Sequence, residues 1–195
     1  GDPGLSNRVF VFTAQTGATL RSGHAGGFLN WLAINGGSIT TLPHNASLSS
    51  GATYVFNGSI AQVSSIFRTT PTASPYNAAN IIINNAFGVT LDTSYNVTSA
   101  LQLQTGILTL STFNITAAII TGSPYSSTKM VNTNSTGMLG LLIPAGASNR
   151  LFPVGNGADY TPADYAFAAN SDPRYLSVRA AKPRNSNDLS PTNYL

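Results

Sequence analysis

The chain of 195 residues contains no cysteine and no glutamate, and only 8% of its residues are charged. Each shortage excludes something. Without cysteine there is no disulfide framework and no thiolate metal site. A helical bundle or coiled coil needs Glu, Lys, Ala and Leu in quantity. A chain disordered by charge needs far more charge and fewer apolar residues than the 42% present. No apolar run approaches the ~20 residues that a membrane-spanning helix requires, so no membrane span is expected.

Net charge is +3 and the pI is about 9.4, but both values come from few ionisable groups. Arg8, Arg21, Arg68, Lys129 and Arg150 are scattered, and only Arg174, Arg179, Lys182 and Arg184 lie close together. Nucleic-acid binding needs a basic patch or stripe. Four basic residues near one end read instead as a solvated edge, and no nucleic-acid partner is expected.

What is plentiful is 22 Thr, 22 Ser, 19 Asn and 18 Gly. Thr, Val, Ile, Tyr and Phe favour strands, while Asn, Gly, Ser and Pro favour turns. The composition predicts an all-β fold. Arg8–Ala14 (RVFVFTA) alternates with period two, and Phe28–Ile34 (FLNWLAI) reads as a buried strand. Ala52–Phe56 ends at the turn signal Asn57-Gly58, Ser59–Phe67 reads as a further strand, and Arg68–Ala79 reads as a connector.

From Asn80 the pattern tightens. Ile81–Ile83, Val89–Leu91, Val97–Leu103, Ile107–Leu110, Phe113–Ile115 and Ala118–Ile120 alternate with short turns carrying Asn or Gly. Turns this short and frequent favour a parallel β-helix, or β-solenoid, over Greek-key crossings. Thr recurs beside an aliphatic at Val89-Thr90-Leu91, Val97-Thr98 and Leu108-Thr109-Leu110. Stacked coils build one core, and in-register Thr and Asn form ladders. We therefore expect a solenoid-like region over 1–122 and a β-sandwich-like part over 123–181. A polar tail or arm is expected over 182–195. Leu151–Gly155 (LFPVG) holds a proline and reads as an edge strand.

Several motifs occur in a fixed order. Ala52-Thr53-Tyr54-Val55-Phe56-Asn57-Gly58 precedes Ala79-Asn80-Ile81-Ile82-Ile83-Asn84-Asn85-Ala86. Gly88-Val89-Thr90-Leu91 and Leu101–Leu110 (LQLQTGILTL) follow. Lys129–Gly137 (KMVNTNSTG) then leads to Phe152-Pro153-Val154-Gly155 and Tyr160-Thr161-Pro162. Over roughly residues 50–169 this order resembles the repetitive, adhesin-like surface proteins of bacteria that use type IX secretion. The resemblance implies a β-helical stalk, exported and attached to or released from the cell surface, with no catalytic residues and no cofactor. Gly1–Ser49 departs from the pattern, and the C-terminal sorting domain of such cargo is absent. The chain is thus expected to be a fragment of a larger protein or a compact relative.

Several residues carry a chemical reading beside a plainer one. Ser126-Ser127-Thr128-Lys129 matches S-x-x-K, but it lies outside any helix and without its S-D-N or K-T-G partners. His24 and His44 lie far from any G-x-S-x-G elbow and read as exposed turn residues. Asp159 and Asp164 are the nearest pair for sugar hydrolysis, or with Asn156 for Ca²⁺; turn capping is the simpler role. Asn45, Asn57, Asn96, Asn114 and Asn134 are formal N-glycosylation acceptors that equally suit turns and ladders. Phe28, Trp31, Tyr54, Phe56, Phe67, Tyr76 and Tyr95 have the faces to stack on sugars, but at strand spacing they read as core. No catalytic, cofactor or metal residue is assigned. The expected role is a non-catalytic extracellular structural or adhesive module, with identical or similar subunits, or extracellular glycans, as partners. The alternative is a module that binds glycan or ice surfaces.

Overall fold

A computed structural model of the chain describes residues 12–28, 46–66 and 75–181. It is all-β, with no helix among the described residues. The parallel strands stack as a β-solenoid of about four turns.

Each central coil contributes one long strand and one short strand. The long ones are β4 (Thr53–Phe56), β6 (Tyr76–Asn84), β8 (Tyr95–Thr105), β10 (Ile115–Thr121) and β12 (Leu139–Ile143). The short ones are β5 (Gln62–Val63), β7 (Val89–Thr90), β9 (Leu108–Thr109), β11 (Val131–Asn132) and β14 (Val154–Asn156). Within each set neighbours pair in parallel and in register. β2 (Thr19–Ser22) begins the long-strand sheet, pairing with β4. Beside it, β1 (Phe12–Ala14) pairs in parallel with β3 (Ala46–Leu48).

Register makes like stack on like. Tyr76, Tyr95, Ile115 and Leu139 form one inward column, and Ala78, Val97, Ala117 and Leu141 the next. Ile81 and Leu101, then Ile83 and Leu103, continue inward in the same two strands. On the opposite sheet Val89, Leu108, Val131 and Val154 stack. All of these except Tyr76 are buried, and both sheets feed a single apolar cluster. Truncating a central leucine such as Leu101 to alanine costs about 2–5 kcal/mol in cores of this kind. β8 has an extra residue relative to both neighbours, at Thr98-Ser99, a β-bulge that the adjoining ladders absorb.

The coil corners need close backbone approach. Gly106 has φ 87°, and a Cβ there would collide with the Asn85 carbonyl of the preceding coil. Only glycine satisfies both demands.

The C-terminal end is finished differently. β17 (Arg174–Val178) pairs antiparallel with β12, and β15 (Asp159–Tyr160) pairs antiparallel with β14. β13 (Ser148–Phe152) and β16 (Ala163–Phe167) form a separate antiparallel pair. The ladders run through Gly122 without a break, so the region over 123–181 continues both sheets and adds antiparallel strands to them. Two local expectations change. Tyr76–Ala79, expected in a connector, is strand, because pairing with Tyr95–Val97 imposes it despite the flanking Pro75. LFPVG is not one edge strand: Pro153 divides it, with β13 before and β14 after, and β14 lies inside its sheet. Trp31, Phe67 and the tail from Lys182 lie outside the described residues.

Outward columns follow the same register. Asn96 Nδ2 donates to Asn77 Oδ1 at 3.0 Å, and Thr116 Oγ1 donates to Asn96 Oδ1 at 2.9 Å. This is the Asn/Thr ladder expected of a stacked coil. Strands β4 to β12 and β14 carry no charged residue, whereas β2, β13, β15, β16 and β17 each carry one. A double-mutant cycle on Asn77→Asp and Asn96→Asp is expected to show unfavourable coupling of up to about 1 kcal/mol at low salt. The coupling shrinks in high salt. Chemical denaturation at two ionic strengths measures it, and additive effects would show that stacked charge is tolerated.

Candidate functional site

Three polar arrangements interrupt the apolar stack. The first joins two coils beside β5. Ser64 Oγ donates to Asp92 Oδ1 at 2.5 Å, and Ser65 Oγ donates to Asp92 Oδ2 at 2.6 Å. The Ser65 backbone N–H and the Tyr95 hydroxyl add bonds to Oδ1 at 3.1 and 3.2 Å. Ser65 adopts φ 27°, a left-handed conformation that a serine occupies only when its surroundings hold it there. Ser64, Ser65 and Tyr95 are all buried. A serine–aspartate–tyrosine cluster resembles catalytic furniture in composition. Here every oxygen faces another member of the cluster or the backbone, and no histidine joins it, so the geometry is that of a staple between coils.

The second lies at the opposite corner. Gln62 Nε2 donates to the Ser22 and His24 carbonyls at 2.8 and 2.9 Å. Its Oε1 accepts from Gly58 N at 2.9 Å and Asn85 Nδ2 at 2.9 Å. All four hydrogen-bonding positions of the amide are thereby used. The third is at the C-terminal end, where Thr133 Oγ1 accepts from Ala180 N at 2.9 Å and Asn132 Oδ1 accepts from Gly157 N at 3.0 Å.

One surface concavity is built differently. A groove of about 290 Å³ lies between the end of β10, β12 and β13. Ile119, Ile120, Leu141 and Leu151 give it an apolar floor; Tyr125, Asn149 and Arg150 supply its polar groups. Ile119 is 46% exposed and Leu151 39%. Asn149, Arg150 and Leu151 are consecutive on a strand, so their side chains alternate between faces. A groove touching all three therefore runs along the edge of β13, whose other edge pairs with β16. Arg150 is held across this edge by Nε to the Leu142 carbonyl and Nη1 to the Asn149 carbonyl, both at 3.0 Å. Burial, and then the neighbouring Tyr160, raises the Tyr125 phenol above its ordinary value. The groove lining holds no carboxylate and no imidazole. Its chemistry is that of contact: apolar burial, with donors from guanidinium, amide and phenol.

The residues singled out in the sequence fall as follows. Ser126 and Lys129 close a tight turn through two backbone bonds of 3.1 and 3.0 Å, and the Ser126 hydroxyl meets Thr128 rather than the lysine. His24 is an exposed turn residue whose Nδ1 accepts from Gly26 N at 3.0 Å. His44 and Asn45 lie outside the described residues. Asp159 and Asp164 sit on different strands, β15 and β16, and both are exposed. Asn156 donates to the Ala180 carbonyl at 3.3 Å. No metal-binding group of three or more His, Cys, Asp or Glu occurs among the described residues. Asn96 is a ladder residue; Asn57, Asn114 and Asn134 are exposed. Phe28, Tyr54, Phe56 and Tyr95 are core, with Phe28 edge-on to Tyr54 and Phe56 at 5.4 Å each, while Tyr76 is half-buried. Gln62, the Ser64–Asp92 staple and the groove were not foreseen. They assemble residues 23 to 40 positions apart or from three strands, and no local pattern marks them.

No known protein family, curated protein or solved structure matches the chain.

Burial is the main cause that raises both Tyr54 and Tyr95 far above their ordinary value of 10.0, and Asp92 adds to it at Tyr95. The fold thus favours the neutral phenols. Their contribution to stability is complete below pH ~10, the unfolded value, and falls as pH rises beyond it. Thermal melts across pH 8 to 12 are expected to be flat up to about 10 and then to drop. Tyr95→Phe removes part of that drop, while leaving Asp92 short of one donor.

Proposed function

We propose that this protein is a non-catalytic structural or adhesive module of a bacterial surface protein, working outside the cell and able to assemble with copies of itself into a filament. The observation that carries this reading is where the polar side chains are spent. Asp92, Gln62, Asn85, Asn132 and Thr133 bond coil to coil or cap turns. The groove beside β13, by contrast, is an open, largely apolar surface suited to contact. Rigidity along the stack is what a stalk needs, since each coil holds the next through backbone ladders. The order of strand and turn motifs over residues 50–169 supports export by the type IX route.

Assembly has a physical route. Strand β2 ends its sheet among the described residues, and β13 leaves one edge along the groove. Unpaired edges recruit other chains, and a heterologous contact that does not close grows into a fibre. Ionic cohesion has little part in this, because β4 to β12 and β14 carry no charged residue. Light scattering and electron microscopy over a concentration series are expected to show growth that is insensitive to salt. Leu151→Lys, which places a charge in the groove floor opposite Asp164 on β16, is expected to weaken self-association or surface adhesion at least several-fold without lowering the melting temperature. A strict monomer at high concentration removes the filament part of the reading.

A second reading is favoured by the same groove. Tyr125, Asn149 and Arg150 beside an apolar floor form the kind of surface that takes a glycan. The ice-binding variant has less support: the outward column on the short-strand sheet runs Val63, Thr90, Thr109, Asn132, Gly155, and only two of its members are threonine. A glycan array and an ice-recrystallisation assay separate these readings from the structural one.

A further inference from the structure

Asn-Gly is the dipeptide most prone to close on itself. The glycine nitrogen, unhindered by a Cβ, attacks the asparagine amide carbon. Two such pairs lie among the described residues, Asn57-Gly58 and Asn156-Gly157. The fold favours glycine at both. A Cβ on Gly58 would lie 2.8 Å from Gln62 Cδ and 2.9 Å from the Gly23 carbonyl oxygen. Gly157 has φ 67°, a left-handed conformation. A coil corner therefore keeps the labile pair that a mutable turn would lose.

At both corners the glycine N–H is already given to a side-chain amide oxygen. Gly58 N donates to Gln62 Oε1 at 2.9 Å, and Gly157 N donates to Asn132 Oδ1 at 3.0 Å. Both acceptors are themselves fixed. Gln62 is buried and uses all four of its bonds, and Asn132 sits buried on β11 beside β14. The pairs are pinned further: Asn57 N donates to the Ser22 carbonyl at 3.0 Å, and Asn156 Nδ2 donates to the Ala180 carbonyl at 3.3 Å.

We propose that Asn57 and Asn156 are latent self-modification sites, held closed in the folded coil by the amide oxygens of Gln62 and Asn132. The reaction they hold off is balanced by water alone. The glycine nitrogen loses its proton and bonds to the asparagine Cγ. The Cγ–Nδ2 bond breaks, and ammonia leaves with the proton. Water then opens the five-membered succinimide at either carbonyl, giving aspartate or isoaspartate, with no change of oxidation state. To react, the nitrogen must give up its hydrogen bond and swing toward Cγ, and each acceptor opposes both movements. Conversion has consequences at each corner. It adds a negative charge, isoaspartate lengthens the backbone by one atom, and at Asn156 an acceptor would replace the donor that faces Ala180. Loss of a coil contact would thus be recorded covalently at the corner where it occurred.

The test uses the full chain, incubated folded or in denaturant in mildly alkaline buffer and followed by peptide mapping and isoaspartate labelling. Folded protein is expected to convert at both sites at least about tenfold more slowly than denatured protein. That ratio corresponds to about 1.4 kcal/mol. Gln62→Ala is expected to speed conversion at Asn57 alone, and Asn132→Ala at Asn156 alone, each by about five- to tenfold, the order of one lost hydrogen bond. Far-UV circular dichroism establishes that each variant is folded. If Gln62→Ala does not fold, the Asn132→Ala result and the folded-to-denatured ratio still decide. Equal rates in folded and denatured protein, unchanged rates in the folded variants, or both sites rising together in Asn132→Ala would overturn the proposal.

Discussion

In-register parallel pairing between successive coils is the constraint on which the molecule depends. It satisfies the backbone of each inner strand on both sides, and it places each side chain over its counterpart one coil away, about 4.8 Å distant. From this follow the inward columns of Ile, Leu, Val and Tyr and the outward ladder of Asn77, Asn96 and Thr116. Tyr76 to Tyr95 is 19 residues and Tyr95 to Ile115 is 20, so a coil here is about one strand pair and two turns long. The core is narrow, and no coil buries its apolar face without its neighbours.

A narrow stack must turn at every corner, and corners leave backbone groups unpaired. Their burial is costly unless a partner is found. The chain meets this with amides and hydroxyls that reach from one coil to the next. Gln62 ties the Ser22 and His24 carbonyls to Gly58 and Asn85; Asp92 ties Ser64 and Ser65 to Tyr95. These buried amide, hydroxyl and carboxylate groups are fasteners between coils. That is the physical reason for reading this molecule as a scaffold with a contact groove.

The middle of the fold was legible because its signal is local. Ile81 and Ile83, and Leu101 and Leu103, alternate within strands, and Asn or Gly marks the breaks. Register was not legible, because stacking partners are separated by a whole coil and the repeat varies in length. Tyr76–Ala79 escaped notice because Pro75 and the Ser/Asn composition resemble a loop until Tyr95–Val97 is set beside them. The segment from Ser123 to Met130 is a longer excursion, yet Val131 rejoins the same short-strand sheet. The groove could not be read at all, since Ile119, Leu141 and Arg150 meet through the arrangement of three strands.

The scarcity of charge follows from the same register. Two like charges stacked at this spacing repel by about 1 kcal/mol even in water, and by more where solvent is thin. A column repeats that cost at each step. Stacked Asn and Thr instead donate to one another, so each added coil gains a bond. The distribution bears this out. Lys, Arg and Asp are absent from β4 to β12 and β14, whereas Arg or Asp occurs on β2 at one end, on β13 and β16 of the side pair, and on the antiparallel β15 and β17. Antiparallel pairing at the end breaks the succession of like on like. Low charge is therefore a property of stacking before it is a sign of any environment.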